Sequence, residues 1–335
     1  MFGITSGVAA ILSFAITALL GFVFIPFLKR LHFGQTIKEI GPTWHKSKQG
    51  TPMMGGLMFI IGMTVAAVTA FLMFPQEERS ELLNQSQMNA RLIGGYVMAL
   101  ASGFMGFMDD YIKGVKKQNL GLRARDKIVM QVLITAGYLL TLYLAGDHST
   151  AVWFPFIGAV DFGLFYYPFS AFLIIGFVNA VNLTDGIDGL ATSVTFIYAL
   201  AFVFLSGILG MKEFSVLSIV IAAGCLGFLV WNFHPAKVFM GDTGSMFLGG
   251  LVVALAFGIG MPLLLLLCGI VYLCEALSVM LQVASFKLTG KRIFKMSPIH
   301  HHFELCHFSE NQIVALFSFV GALGCTGAVL AVVLR

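Results

Sequence analysis

The sequence has little charge and few cysteines. Charged side chains make up 11% of its 335 residues, whereas a soluble globular protein carries about 25%. Hydrophobic residues make up 58% of the chain, and the mean hydropathy is +0.91. This composition excludes a water-soluble globular protein. None of the five cysteines forms a CxxC pair, so the sequence gives no support to a zinc site or a disulfide framework.

Long apolar runs fill the chain instead, and they predict an all-α polytopic membrane protein. A membrane-spanning helix needs roughly 20 apolar residues, and the first run is too long for the core of a signal peptide. Because no repeat, low-complexity tract or linker is visible, residues 1–335 are expected to form a single integral-membrane domain. The ten predicted spans are residues 4–28, 53–74, 92–108, 128–146, 168–184, 190–209, 214–232, 244–260, 262–286 and 312–334.

The distribution of Lys and Arg predicts the orientation of these spans. Sixteen of the 20 basic residues fall in loops on one face, and cytoplasmic loops carry such an excess. This face is therefore expected to be cytoplasmic, with both termini extracytoplasmic. On the other face, residues 75–91 are expected to form a short surface helix and residues 147–167 a hairpin. The loops of the basic face are residues 29–52, 109–127, 185–189, 233–243 and 287–311.

Five of the eight aspartates lie in three short motifs on the basic face. The motifs are MDDYIK at 108–113, NLTDGIDG at 182–189 and MGDTGS at 240–245. A charge at depth in a membrane costs a few kcal/mol, so such residues usually hold a cation or handle a charged substrate. If the three motifs share one membrane face, they can form one site.

Local patterns add further expectations for this face. Asp109 and Asp110 follow a predicted span, where carboxylates are unfavourable for the helix dipole, so metal binding or proton handling is expected. Thr51 and Pro52 are expected to cap and begin the second span. Residues 242–245 are expected to cap the eighth span.

The last loop contains three consecutive histidines, His300, His301 and His302. On a helix these side chains point about 100° apart, so one or two of them are expected to face the site. Their spacing does not favour zinc. Glu275 lies within the ninth predicted span with no visible partner, and both a packing role and a lipid-groove role stay open.

Together, five motifs resemble those of bacterial phospho-N-acetylmuramoyl-pentapeptide transferases, within the polyprenyl-phosphate N-acetylhexosamine-1-phosphate transferase superfamily. The motifs run in order over the whole chain, and the run PIHHHFE at 298–304 is the most discriminating. Met53 departs from the pattern, because the family more often has threonine there. The other motifs are residues 46–56, 109–110, 182–189 and 240–245.

The resemblance implies a Mg²⁺-dependent homodimer in the bacterial cytoplasmic membrane, with its active site on the cytoplasmic face. The implied reaction transfers phospho-MurNAc-pentapeptide from UDP-MurNAc-pentapeptide to undecaprenyl phosphate, giving lipid I and UMP. Membrane lipid is an implied partner and nucleic acid is not. The implied catalytic residues are Asp109, Asp110, Asp242 and His301, with Asp242 as the metal ligand. The implied substrate-binding residues are Lys46, Thr51, Lys113, Asn182, Asp185, Gly186, Ile187, Asp188, Phe239, Gln282 and His302.

Several alternatives stay open from the sequence. A sibling transferase could use UDP-GlcNAc, and an intramembrane prenyltransferase would also use aspartates and Mg²⁺. A transporter is the non-enzymatic alternative, although transporters place ionisable groups near the membrane midplane. The transfer itself could proceed in one step or through a covalent phosphosugar on an aspartate.

Overall fold

The computed structural model describes residues 2–31, 48, 50–74, 80, 82–116, 121–155 and 157–335, and this part of the chain is mostly helical. A π-helical turn (Ala90–Gly94) joins the third and fourth helices, and a 3₁₀ turn (Gly163–Phe165) precedes the sixth. The elements are α1 (Phe2–Arg30), α2 (Gly56–Met73), α3 (Gln85–Asn89), α4 (Gly95–Lys116), α5 (Ala124–Leu144), β1 (Ala151–Phe154), β2 (Gly158–Asp161), α6 (Tyr166–Thr184), α7 (Leu190–Ile208), α8 (Lys212–Asn232), α9 (Gly241–Gly258), α10 (Leu264–Cys268), α11 (Ile270–Thr289), α12 (Ile299–Glu304) and α13 (Glu310–Val333).

Ten helices within these ranges are long and apolar enough to cross a membrane, which confirms the predicted number of spans. The agreement is closest for α7, which ends one residue before the predicted span 190–209. The ninth prediction, 262–286, began too early, because the short α10 and a break at Gly269 precede α11. The hairpin predicted within residues 147–167 is confirmed by β1 and β2, which pair antiparallel from Ala151 with Asp161 to Phe154 with Gly158.

Two predicted helix boundaries were wrong, and both lie on the basic face that carries the aspartate motifs. α4 continues past the predicted end at residue 108 to Lys116, so Asp109 and Asp110 lie inside its last two turns. α2 begins at Gly56 rather than at Pro52. Pro52 instead accepts a backbone hydrogen bond from Phe239 at 2.9 Å, which joins the segment before α2 to the segment before α9.

α9 is the central helix of the bundle. Every one of its residues except Asp242 is buried. α4 comes closest to α9 at Gly106, where no side chain separates the two backbones. A Cβ atom at Gly106 would lie only 2.1 Å from the Asp242 carbonyl oxygen. Farther along, a Cβ atom at Gly250 would lie 2.5 Å from the Ala99 Cα atom. Small residues allow such close helix packing in membranes, and this packing brings the end of α4 beside the beginning of α9.

Candidate active site

Three carboxylates meet where α4 packs against the beginning of α9. Asp109 and Asp110 are buried, with 1% and 3% exposure, whereas Asp242 is partly open to solvent. One oxygen from each of the three lies within 4.8 Å of the others. The carboxylates of two of the three aspartate motifs therefore meet in one acidic cluster, and the third motif reaches this cluster through Asn182.

The side chain of Asp110, which lies in α4, caps the N-terminus of α9. Its Oδ2 accepts hydrogen bonds from the Thr243 backbone N–H at 2.9 Å and from the Thr243 hydroxyl at 2.7 Å. Its Oδ1 accepts a third from the Asp242 backbone N–H at 3.2 Å. The expected cap from residues 242–245 is thus wrong. A carboxylate at this helix end is favourable for the helix dipole, so Asp110 fixes the position of Asp242.

Two lysines and an asparagine complete the acidic cluster. Lys113 Nζ lies 2.5 Å from Asp109 Oδ2 and 3.0 Å from Asp242 Oδ2. Lys127 Nζ lies 3.1 Å from Asp109 Oδ1 and 3.2 Å from Asp242 Oδ2. Asn182 donates from Nδ2 to Asp242 Oδ1 at 3.0 Å. Lys127 was not among the predicted site residues, because it lies in a run of basic residues without a motif of its own.

The donor atoms of this cluster suit a divalent cation. Mg²⁺ prefers carboxylate oxygens and usually takes only one or two from the protein, because it keeps waters and binds substrate phosphates. Three carboxylates within reach of one another meet that requirement, so the cluster can hold a metal ion. The two lysines offer positive charge beside it for phosphate oxygens.

Asp188 belongs to a second cluster instead. Its Oδ1 accepts a hydrogen bond from Lys48 Nζ at 2.7 Å. Its Oδ2 accepts one from the Ala236 backbone N–H at 2.9 Å and lies 2.9 Å from His234 Nδ1. Glu310, at the beginning of α13, accepts hydrogen bonds from Lys48 Nζ at 2.7 Å and from the Asp188 backbone N–H at 3.0 Å. This cluster ties four separate segments together, and sequence motifs gave no signal for Glu310.

The loop 185–189 connects the two clusters. Ile187 is buried, and Gly189 has a φ of +75°, which favours glycine. Burial raises the pKa of the Asp185 carboxyl to about 8, and the nearby carboxylates of Asp242 and Asp110 contribute to this increase. Asp185 is therefore mostly protonated at neutral pH when no cation is bound.

The raised pKa of Asp185 predicts a pH-dependent effect of Asp185→Asn on stability. In the unfolded chain an aspartate has a pKa of about 3.9, so between about pH 4 and pH 8 only the folded state binds this proton. The stability of the parent protein therefore decreases across this range as pH increases, whereas asparagine does not titrate. We expect the thermal midpoint of the variant, relative to the parent, to increase from pH 5 to pH 8 in detergent with a chelator. A difference that is independent of pH would contradict the prediction.

The three histidines have different surroundings, as their spacing predicted. His300 is buried, and its Nδ1 lies 3.1 Å from both carboxylate oxygens of Glu275. Its Nε2 has no hydrogen-bond partner among the described residues and lies against Gly186, where a Cβ atom would be 2.1 Å away. His301 Nδ1 lies 2.6 Å from Glu304 Oε2. His302 Nδ1 accepts a hydrogen bond from a loop backbone N–H at 3.1 Å.

The pairing of Glu275 with His300 predicts a large stability effect. Both side chains are at most 1% exposed, and leaving a buried hydrogen-bonding group without its partner typically costs about 1–3 kcal/mol. We expect Glu275→Leu to lower the free energy of unfolding by about 3 kcal/mol, measured by denaturation in detergent. Glu275→Gln keeps a hydrogen-bond acceptor and should lose clearly less. Equal stability of the leucine variant and the parent would show that the pair does not stabilise the fold.

The remaining predicted residues lie around these groups. Thr51 follows Lys48 in a turn, with its backbone N–H 3.1 Å from the Lys48 carbonyl oxygen. Phe239 is half-buried, and its backbone N–H donates the hydrogen bond to Pro52 described above. Gln282 uses its side-chain amide for three hydrogen bonds to the backbone of residues 293 and 294. Lys46 lies outside the described residues.

Comparison with known proteins gives a consistent result over nearly the whole chain. Residues 92–260 match the family described as glycosyl transferase family 4. The chain is 45% identical over 320 residues to the phospho-N-acetylmuramoyl-pentapeptide-transferase of Clostridium perfringens, covering 95% of each chain. It is 44% identical over 328 residues to the enzyme of the same name from Desulforamulus reducens, covering 94% of each. The Acetivibrio thermocellus relative, with the same name, is 44% identical over 319 residues, which cover 94% of this chain and 92% of the relative.

Proposed function

The chain belongs to the phospho-N-acetylmuramoyl-pentapeptide transferase family, and we propose that it transfers phospho-MurNAc-pentapeptide from its UDP carrier to undecaprenyl phosphate. The products are lipid I and UMP. The protein is therefore a membrane-spanning transferase of peptidoglycan synthesis. The observation that supports this reaction most directly is the acidic cluster of Asp109, Asp110 and Asp242 with Lys113 and Lys127 between its carboxylates.

The reaction has to bring a lipid phosphate and a diphosphate together, although both are negatively charged. Phosphate monoesters have a second pKa of about 6, so the attacking phosphate is mostly dianionic near neutral pH. Lys113 and Lys127 are held within 3.2 Å of Asp242, and we propose that they bind phosphate oxygens there. Asp109, which pairs with both lysines, is proposed to orient the attacking phosphate. A metal ion would add stabilisation of the charge on the diphosphate.

We propose Mg²⁺ as this metal ion and Asp242 as its principal ligand. Asp242 is partly exposed, although the rest of α9 is buried. This exposure supports the role, because a metal ion bound by Asp242 has to be accessible to the substrate phosphates. Asp110 uses both oxygens to cap α9, so its contribution is proposed to be the positioning of Asp242. His301 is proposed to contribute to catalysis near the diphosphate.

The nucleotide is proposed to bind along the loop 185–189. Asn182 contacts Asp242 directly, so ligands beside this loop would also be close to the acidic cluster. Phe239 is proposed to stack on uracil. The other residues proposed to bind UDP-MurNAc-pentapeptide are Lys46, Thr51, Lys113, Asn182, Asp185, Gly186, Ile187, Asp188, Gln282 and His302.

The orientation and assembly are also part of the proposal. The excess of Lys and Arg supports a cytoplasmic location of the acidic cluster in the bacterial cytoplasmic membrane, with both termini extracytoplasmic. We propose a homodimer in which each chain forms a single domain.

The release of UMP tests the proposed function. Purified protein is mixed with UDP-MurNAc-pentapeptide, with and without undecaprenyl phosphate and Mg²⁺, and UMP and lipid I are measured. We expect both products only when the lipid and the cation are present. Use of UDP-GlcNAc instead would indicate the sibling reaction. Uptake of a solute into proteoliposomes without UMP release would contradict the proposed transferase activity and indicate a transporter.

The exchange of labelled UMP into UDP-MurNAc-pentapeptide separates the one-step and two-step routes. The one-step attack that we propose needs both substrates together, so no exchange is expected without undecaprenyl phosphate. It also predicts inversion at phosphorus. Exchange in the absence of the lipid would instead indicate a covalent phosphosugar on the enzyme.

A further inference from the structure

An apolar chamber lies at the opposite end of the bundle from the acidic cluster. It has a volume of about 320 Å³, is lined by α2, α8 and the segment Gln85–Leu100, and is open along one side. α2 begins beside the acidic cluster, where Gly56 bonds to the segment before α9, and runs away from it. The chamber is lined by the second half of α2, from Thr64 to Phe74. Ten helical residues correspond to about 15 Å, a depth that suits part of a hydrocarbon chain.

The deep part of the chamber is apolar, and its polar groups already have hydrogen-bond partners. Phe71, Leu217 and Val220 line its walls. The hydroxyl groups of Thr64 and Tyr96 lie 3.0 Å apart and bond to each other. Ligand-binding pockets of about 300 Å³ and more are usually apolar with a few polar groups, so this part suits an apolar chain.

Glu213 provides the polar end of the chamber. It lies in the first turn of α8 and is 8% exposed. Its Oε1 accepts a hydrogen bond from the Ser80 backbone N–H at 3.0 Å, whereas its Oε2 is buried and has no hydrogen-bond partner in the described ranges. An unpaired buried carboxylate oxygen is costly, so a donor from a ligand would be favourable here. The neighbouring Lys212 is exposed at the same helix end.

The helix wall between Gln85 and Leu100 has an irregularity at the chamber. The π-helical turn Ala90–Gly94 interrupts the α-helical pattern, and Leu92 and Ile93 from this turn line the chamber. Single π-helical turns are frequent at functional sites. The cavity, the unpaired oxygen and the irregular wall therefore lie at one location.

We propose that the chamber binds one acyl chain of a phospholipid whose head group ends in a primary ammonium group. The ammonium donates a hydrogen bond to Glu213 Oε2, and Lys212 lies beside the phosphate. A positive group is complementary to the carboxylate, whereas a head group with only a phosphate charge offers Oε2 at most a hydroxyl donor, without the attraction between opposite charges. This site is separate from the acidic cluster, so its occupation does not depend on the proposed reaction.

Native mass spectrometry with two competing lipids tests the proposal. The detergent-purified protein is incubated with equal amounts of phosphatidylethanolamine and phosphatidylglycerol that have identical acyl chains. We expect retention of phosphatidylethanolamine over phosphatidylglycerol by about tenfold, because only the ammonium group adds charge pairing to its hydrogen bond, and tenfold corresponds to about 1.4 kcal/mol. Equal retention of the two lipids by the parent protein would overturn the proposal.

Three variants locate the lipid in the chamber. Glu213→Gln should reduce the preference to near equality, and Ala67→Phe, which fills the chamber, should reduce the binding of both lipids. Asp161→Asn removes an exposed carboxylate from the hairpin at the same end of the bundle and should keep the preference. Persistence of the tenfold preference in Glu213→Gln, or unchanged binding in Ala67→Phe, would refute the assignment.

Folding and dimer contact are checked separately. UMP release should stay within about twofold in Glu213→Gln and Ala67→Phe, because the chamber is distant from the acidic cluster. If Ala67→Phe does not fold, Val97→Phe at a more exposed lining position repeats the test. Disulfide cross-linking of cysteines introduced at position 97 between two copies would indicate that a second chain covers the chamber, and this result would also refute the lipid assignment.

Discussion

Asp242→Asn is expected to lower the rate of lipid I formation by about three orders of magnitude while changing thermal stability little. Asp242 is the most exposed of the three carboxylates in the acidic cluster, and it contacts Lys113, Lys127 and Asn182. Loss of its charge removes the proposed Mg²⁺ ligand, which contributes several kcal/mol, and each 1.4 kcal/mol corresponds to about tenfold in rate. The rate is measured as UMP release at saturating substrates.

Metal binding gives a second measurement for this variant. We expect Asp242→Asn to bind Mn²⁺, used as a spectroscopic probe in place of Mg²⁺, at least about tenfold more weakly. Asp126→Asn is the matched control, because Asp126 is an exposed carboxylate at the beginning of α5 that takes no part in the cluster. Full activity of Asp242→Asn with unchanged Mn²⁺ affinity would remove Asp242 from the metal-binding role.

Asp110→Ala is expected to lower both stability and activity. The substitution removes three hydrogen bonds to the beginning of α9 and leaves buried N–H groups without an acceptor. A hydrogen bond to a charged group contributes about 1.5–3 kcal/mol, so we expect the free energy of unfolding to fall by about 3 kcal/mol. The displaced Asp242 should lower the rate by about 100-fold, a typical cost of a 1 Å misplacement.

The conservative variant separates a positioning role from a direct catalytic one. Asp110→Asn retains one side-chain oxygen that can accept hydrogen bonds from Thr243, so it should recover most of the lost stability and part of the rate. The parallel recovery of the thermal midpoint and kcat would support positioning through the cap. Normal stability combined with complete loss of kcat would instead indicate that the Asp110 charge acts directly on substrate.

Much of the helical framework could be predicted from the sequence, because membrane spans depend on length and hydropathy. α7 and α8 lie close to their predicted ranges for this reason. The end of α4 could not be predicted in this way. Its last two turns carry Asp109, Asp110 and Lys113, and a hydropathy pattern cannot separate polar helix from polar loop.

The contacts of the site depend on packing that no short motif encodes. Lys127 and Glu310 reach their clusters only because α5 and α13 begin on the same face as the aspartate motifs. Glu275 had no visible partner in the sequence, since His300 is 25 residues away on a different helix. Motif reading identified the residue types, but the division into two clusters and the cap formed by Asp110 required the three-dimensional arrangement.

The enclosed position of α9 has a consequence for biosynthesis. α4 and α6, which pack closely against α9, both precede it in the chain. When the ribosome delivers α9 to the membrane, the surfaces that receive it already exist, so a helix with glycines and an aspartate enters among protein neighbours. A nascent chain that stops before α9 leaves the tightest contact surfaces of α4 and α6 without their protein partner.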